Sequence, residues 1–460
     1  MRVGILPLAR PTFDVTFAQE KLAAMLDCLA RQGAAIVGPR ALLMDGAQAD
    51  AALGALLAQN PDRVLVLQTT FTDAAFIARA AAATAAPLAL WAPREPRAGG
   101  RLRLNAFCGL NLAGHALGLA GRRFGWLLAD PDEAGIDAAL ADLLAGGRDV
   151  RPLDGRPARA AAGVNVLDGA RVVRIGAPPE GFDTCRHDAA DTRARLGVTV
   201  EEIGLDTLFD AARAADGAAA AALRARVAAT LSGLGAVDAD QLDRSLRLKL
   251  ALDALKAARG ADAFAVRCWP EAFTEYGGAV CGPASMMAEG RAPCACEADV
   301  WGAATQLALQ RVAGAPVFLA DLVDMDAGDD SGVVWHCGQA PLSMAAGPAR
   351  ATIHSNRRMP LLCEFALRPG RVTFFRLSQA FGRPRAVIAT GAMLDRPGAF
   401  TGTSGVARFD APAAQVLARV MDAGLEHHMA LAYGDHAPAL EGLAAALDLP
   451  VLNLTERAWA

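Results

Sequence analysis

Nowhere in its 460 residues does the chain run for about 18 apolar residues without a charge, although 53% of it is hydrophobic. A helix crossing a bilayer needs about 20 such residues, so a helical span is excluded. The opening, MRVGILPLARPTFD, is apolar too briefly for a signal peptide and reads as a first buried strand. Basic stripes and aromatic-rich basic patches are missing too. With a net charge of −4 and only 5% aromatic residues, a nucleic-acid partner is excluded. The 9 cysteines are odd in number and follow no framework spacing, and several sit among apolar residues, as in LCEFAL. They read as free thiols in a reducing cytoplasm. Lysine is scarce beside arginine, which with the heavy use of alanine and glycine reads as a GC-rich coding sequence rather than a functional signal.

Several catalytic signatures are also missing. There is no phosphate-binding G-x-x-x-x-G-K-[ST] loop, no G-x-S-x-G elbow and no H-E-x-x-H helix. The segment GLNLAGHALGLAG lacks the strand–G-x-G-x-x-G–helix context of a dinucleotide site. Cys294 and Cys296, with His336 and Cys337, could be read as a zinc site, but the spacing is wrong and a second cysteine pair is lacking.

What the chain has is alternation. Apolar runs such as RVGILPLA, RVLVLQ and PLALWAP alternate with segments of helical periodicity such as FAQEKLAAMLDCLARQG. This pattern predicts a parallel sheet with helices on both faces. The first α/β domain is expected over residues 1–100, closing at the linker-like REPRAGGR. A second α/β domain is expected over 101–290, with a nearly all-helical insert from about Asp206 to Gly260. From 291 to 460 the strands become short and Gly/Pro-bounded, predicting an antiparallel sheet or barrel. Length alone calls for two or three domains.

Two acids stand out. Glu297 opens a helix with an apolar face, and Asp321 ends the apolar strand PVFLAD. Each has an ordinary reading: Glu297 as a first-turn charge favoured by the helix dipole, Asp321 as a turn or cap. Together, 24 residues apart across a helix, a turn and a strand, they can meet at one end. Neighbouring carboxylates repel unless a cation or a shared proton holds them. His427 and His428 in LEHHMALAYGDH offer a third ligand, and strand alternation admits one of the two. Such a Glu, Asp, His set suits Mn²⁺, Mg²⁺ or Fe²⁺. His336 in WHCG and His354 in ATIHSNRR lie on strand-like segments, where a lone histidine is more often structural.

The order CEADVWGAATQL, GAPVFLADLVD, WHCGQAP, EHHMALAYGD resembles the L-fucose isomerase and L-arabinose isomerase superfamily; RIGAPPEGFD and QTTFTDAA resemble its N-terminal regions. The resemblance covers most of the chain. It implies two Rossmann-like N-terminal domains followed by a β-rich, barrel-like C-terminal domain, in a homo-oligomer, trimer or hexamer. It further implies a Mn²⁺-dependent aldose–ketose isomerase working through a cis-enediol. Glu297 and Asp321 match the paired metal carboxylates, which double as base and acid. One of His427 and His428 matches the metal histidine, with His428 preferred. Arg10, Thr12, Phe13, Asp14, Thr70 and Phe71 are implied substrate contacts made in a neighbouring subunit's site. Trp301 and Trp335 are candidates to stack on a sugar, with His336 nearby. The substrate is a monosaccharide, deoxy and sulfonated sugars included. Arg357 and Arg358 either read an anionic group or form a solvated turn. The competing functions are a non-catalytic sugar-binding protein, an epimerase or aldolase on the same ligands, and a subunit whose site has decayed.

Overall fold

The computed structural model describes residues 1–160 and 163–456. The fold is mixed α/β, with two parallel sheets and one large mixed sheet. In the first sheet the strands stand in the order Ala35–Val37, Arg2–Leu8, Arg63–Gln68, Leu88–Ala92, Phe124–Leu128, all parallel. The central strands are buried along their whole length, which is why they read as unbroken apolar runs. The helix Val15–Arg31 covers one face with Ala18, Leu22, Met25, Cys28 and Leu29, an apolar stripe at helical spacing. Its N-terminus is capped by the Asp14 carboxylate, which accepts from the Phe17 N–H at 3.1 Å.

The strand Phe124–Leu128 lies past residue 100 yet pairs with Leu88–Ala92. The stretch REPRAGGR is therefore a loop inside the first sheet's run of elements. It is pinned rather than free: the buried Glu95 carboxylate accepts from the N–H groups of Arg103, Leu104 and Asn105 at 2.6, 2.8 and 2.7 Å. Composition alone could not show that anchor.

The second sheet has the order Cys294–Ala295, Ala263–Val266, Arg171–Ile175, Thr199–Ile203, again parallel. Its edge strand Cys294–Ala295 lies past residue 290. The helical stretch resolves into Leu205–Arg213, Gly217–Ala228 and Ala239–Arg259.

In the third unit six antiparallel strands close on themselves. Arg385–Met393 pairs with Gly370–Ser378, which pairs with His428–Tyr433, then Phe318–Asp326, Ser331–His336 and Thr403–Phe409, which returns to Arg385–Met393. Closure leaves no open edge among these six. Parallel additions, Val451–Asn453 and Leu362–Ala366, make the sheet mixed.

Two buried helices join the units. Val300–Ala313 packs against barrel strands His428–Tyr433 and Gly370–Ser378 and against Ala263–Val266 of the second sheet. It is buried continuously from Val300 to Gln310. Its polar Thr305 is satisfied by donating to the Trp301 carbonyl at 2.6 Å and accepting from the Leu377 N–H at 3.0 Å. Ala106–Leu119 packs against Phe318–Asp326 and Ala75–Ala83. Its glycines permit that approach: a Cβ on Gly109 would lie 2.7 Å from Gln68 Nε2 and 3.1 Å from the Thr72 nitrogen. Gly109→Ala should cost about 1–3 kcal/mol in urea unfolding by overpacking, and it should loosen the Thr70–Thr72 loop, which Gln68 Nε2 holds through the Thr70 carbonyl at 2.7 Å.

No helix among the described residues is long and apolar enough to cross a membrane.

Candidate metal centre and active-site cavity

Asp321 does not end its strand. The strand runs on to Asp326, with a register shift between Leu322 and Asp324. It can do so because the loop of the first unit supplies cations: Asp324, fully buried, accepts from Arg94 Nη2 at 2.8 Å and Arg97 Nε at 2.6 Å. Asp321 has no such partner. It is 6% exposed, and its Oδ1 makes no hydrogen bond. In the antiparallel register it stands opposite His428.

Glu297 does not open the α-helix either. It sits in a 3-10 turn, Cys296–Ala298, with φ 60° and ψ 23°, followed by Ala298 at φ 57°. Two successive non-glycine residues in the left-handed region cost roughly 1–2 kcal/mol each, and strain of this kind gathers at functional sites. The helix cap is Asp299, which accepts from the Gly302 N–H at 2.7 Å. The turn aims the Glu297 carboxylate at two donors, Trp269 Nε1–H at 3.1 Å and His427 Nε2 at 2.9 Å.

His427 precedes the strand His428–Tyr433, so strand alternation does not separate the two histidines. Their ring centroids are 3.9 Å apart. His428 Nδ1 faces the Asp299 carboxylate at 3.0 Å, and that carboxylate is gripped by Arg376 Nη1 at 2.6 Å. An acceptor on Nδ1 keeps the proton there and leaves the Nε2 lone pair free. Nε2 has no hydrogen bond and lies 3.8 Å from Glu297 Oε2 and 3.6 Å from Asp321 Oδ1. His336 is arranged the opposite way: Nδ1 accepts from the Cys337 N–H at 2.8 Å, which puts the proton of the neutral ring on Nε2, buried and without a hydrogen bond. Ligand atoms of Asp321, His336 and His428 all lie within 4.8 Å of one another, as do those of Glu297, His427, His428 and Cys185. Two orphaned, buried ligand atoms, Asp321 Oδ1 and His428 Nε2, beside the Glu297 carboxylate fit a divalent cation.

The charges agree. Burial pushes the Asp321 carboxyl up to about 7; His428 partly offsets this, and Glu297 adds to it. Burial also works to raise Glu297, but the hydrogen bond and charge of His427 prevail and hold it below the usual carboxylate range. Burial and then the neighbouring histidines push His336 well down, leaving a neutral ring.

These groups line a cavity of about 100 Å³. Of the residues expected to touch substrate, Arg10, Thr12, Phe13, Phe71, Trp335, His336 and Arg357 line it together with Glu297, Asp321 and His427. Their own chain supplies Arg10, Thr12, Phe13 and Phe71, where the resemblance implied a neighbouring subunit's site. Three others lie elsewhere. Asp14 caps its helix and pairs with Arg103 Nε at 2.9 Å. Thr70 holds the Arg10 N–H through Oγ1 at 2.9 Å. Trp301 is 1% exposed in the helix core, where its Nε1–H donates to Thr192 Oγ1 at 3.1 Å.

Residues 4–153 match the family of the fucose/sulfoquinovose isomerase N-terminal domain, and residues 363–455 the L-fucose isomerase C-terminal domain. A sulfoquinovose isomerase of a Clostridium species is 30% identical over 454 residues, covering 97% of this chain and 98% of that protein. Its counterpart in Alkalicoccus urumqiensis is 30% identical over 458 residues, covering 99% of each chain. A third, from Priestia aryabhattai, is 28% identical over 447 residues, covering 96% and 97%. The chain belongs to the fucose isomerase family.

It is an aldose–ketose sugar isomerase. Sequence reading of this isomerase passed over Asp299, Arg376 and Trp269. Each left a trace: an Asp just before a helix, an Arg inside the apolar strand RVTFFRLS, and a Trp at the end of the strand DAFAVRCWP. Arg376 is fully buried, where an arginine needs a partner, and Asp299 supplies it. Asp299→Asn should weaken Mn²⁺ binding by roughly 10- to 100-fold, as loss of a partner behind a metal histidine does. Isothermal titration with Mn²⁺ tests this; an unchanged affinity would remove Asp299 from that role.

Proposed function

We propose that this isomerase converts sulfoquinovose, a sulfonated aldose, to its ketose in the cytoplasm, with Mn²⁺ held by Glu297, Asp321 and His428. The near-full-length likeness to three sulfoquinovose isomerases carries the substrate reading. The convergence of the unpartnered Asp321 Oδ1 and His428 Nε2 atoms beside Glu297 supports the metal reading. The 9 free cysteines support a reducing compartment.

When bound, the cation supplies Lewis acidity toward the oxygens on C1 and C2. The chain's own groups move the protons. Glu297, ionised and oriented by Trp269 and His427, is the base that takes the C2 proton and returns it to C1. Asp321, beside it, passes the O2 hydroxyl proton to O1. One C–H bond and one O–H bond break and one of each forms, giving the cis-enediol and then the ketose.

Incubation with sulfoquinovose and Mn²⁺ in deuterated water tests the proposal. Proton NMR should show the ketose with deuterium on C1. Absence of ketose rejects the substrate; ketose without deuterium replaces proton transfer by a hydride shift on the same ligands.

A further inference from the structure

We propose that Arg357, with Arg10 across the indole of Trp269, forms an anion subsite at the cavity mouth that grips the sulfonate end of the sugar and sets the preference for sulfonated over neutral substrates. This rests on the sulfonated-sugar reading above and names the residues that would enforce it.

The three side chains form one cluster. The Arg357 guanidinium lies 5.4 Å from the Trp269 ring centre, and that of Arg10 lies 5.9 Å from the same ring and 5.4 Å from Phe71. Arg10, Trp269 and Arg357 line both the inner cavity and an open outer groove of about 530 Å³. They therefore stand where a sugar would enter.

Arg357 is half-buried, and no carboxylate is among the groups that act on its charge. The charged group acting on it most strongly is Arg10, another cation. The other buried and half-buried arginines near the site behave differently: Arg94 and Arg97 hold Asp324, and Arg376 holds Asp299. Arg10 is anchored by Asp73, so its position is fixed while its charge is shared. The turn beneath Arg357 is also fixed, because His354 Nδ1 accepts from the Asn356 and Arg357 N–H groups at 3.2 and 3.3 Å. Its neighbour Arg358 is exposed and does not line the cavity.

A half-buried cation facing a second cation is unfavourable until an anion arrives. A sulfonate is ionised at every working pH and presents three acceptor oxygens to the planar guanidinium fork. A neutral hydroxymethyl group at the same place would leave the Arg357 charge uncompensated, and discrimination arises from that difference. The span is also suitable. Trp269 carries Arg357 on its face and donates from its edge to Glu297 at 3.1 Å. An extended six-carbon chain covers about 6 Å from C1 to C6, so C1 and C2 can sit at Glu297 while the sulfonate meets Arg357.

The test compares wild type, Arg357→Gln, Arg357→Lys and Arg10→Gln, each with bound Mn²⁺ and an unchanged melting temperature. Two readouts are taken: kcat/KM for sulfoquinovose relative to glucose, and binding of 2-hydroxyethanesulfonate by ligand-observed NMR. Arg357→Gln should cut the selectivity ratio by about 10²-fold and abolish the probe's binding. Arg357→Lys should recover part of both, and Arg10→Gln should show a smaller loss. An unchanged ratio, or probe binding retained in Arg357→Gln, overturns the subsite. If wild type proves inactive on sulfoquinovose, the function reading fails by itself. The probe then decides the subsite: binding lost in Arg357→Gln sustains it, and binding retained overturns it.

Discussion

Glu297→Gln is expected to lower kcat by about 10³-fold or more at saturating Mn²⁺, with the fold intact. Glutamine keeps the shape of the side chain, so the bond from Trp269 Nε1 to Oε1 can persist. It cannot accept a proton from carbon. General base catalysis alone is worth about 10² to 10⁴-fold. The substitution also removes one of the charges that hold a cation beside His428, whose Nε2 stands 3.8 Å from Glu297 Oε2. Metal content should therefore fall along with the rate, and supplying excess Mn²⁺ should restore occupancy but not turnover. Initial rates, metal analysis and far-UV circular dichroism on the same preparations check this. A variant that regains more than a tenth of wild-type kcat once loaded would take Glu297 out of the base role and leave it a ligand only.

The parts of the site that were legible before the structure are those that depend on residue type and order. Glu297, Asp321 and the His427–His428 pair carry chemistry that few other side chains can, and their spacing brings helix and strand back together. What sequence could not give is the path of the backbone through them. Glu297 lies outside the helix because two residues take left-handed angles there, and nothing in CEAD announces that. Asp321 reads as a strand end because acids follow it, but those acids are satisfied by Arg94 and Arg97, some 230 residues away in sequence. His336 reads as structural because a lone histidine on a strand usually is; that it lines the cavity, with Nδ1 accepting from the Cys337 N–H, has no local signal. The same limit applies to the fold. Periodicity marked the strands of the first sheet, but composition placed a boundary at residue 100 where a buried glutamate pins the loop. The barrel's closure, made by pairing Arg385–Met393 with Thr403–Phe409, is a long-range contact with no local signal.

Asp321→Asn is expected to stabilise the metal-free protein at pH 8 while abolishing the gain that Mn²⁺ provides. Burial raises the Asp321 carboxyl from its ordinary 3.8 to about 7. That is roughly three units, equivalent to about 4 kcal/mol. The sign follows from proton binding. Between pH 4 and 7 the folded protein keeps this proton and the unfolded chain does not. The group's contribution is thus fully present below the unfolded value and is lost as pH rises through 7. Metal-free wild type should accordingly lose stability from pH 5 to pH 8, and the asparagine variant should lose less. A divalent cation reverses the penalty by pairing with the ionised carboxylate. The rise in Tm on adding Mn²⁺ should then be larger at pH 8 than at pH 6, and metal binding should release a proton from this group below pH 7 but not above it. His336 adds nothing to that release, since burial already keeps it neutral. Thermal unfolding at pH 5, 6, 7 and 8, with and without Mn²⁺, measures both halves. If metal-free Asp321→Asn melts below wild type at pH 8, the carboxylate is not the strained, unpaired group whose charge the cation is needed to balance.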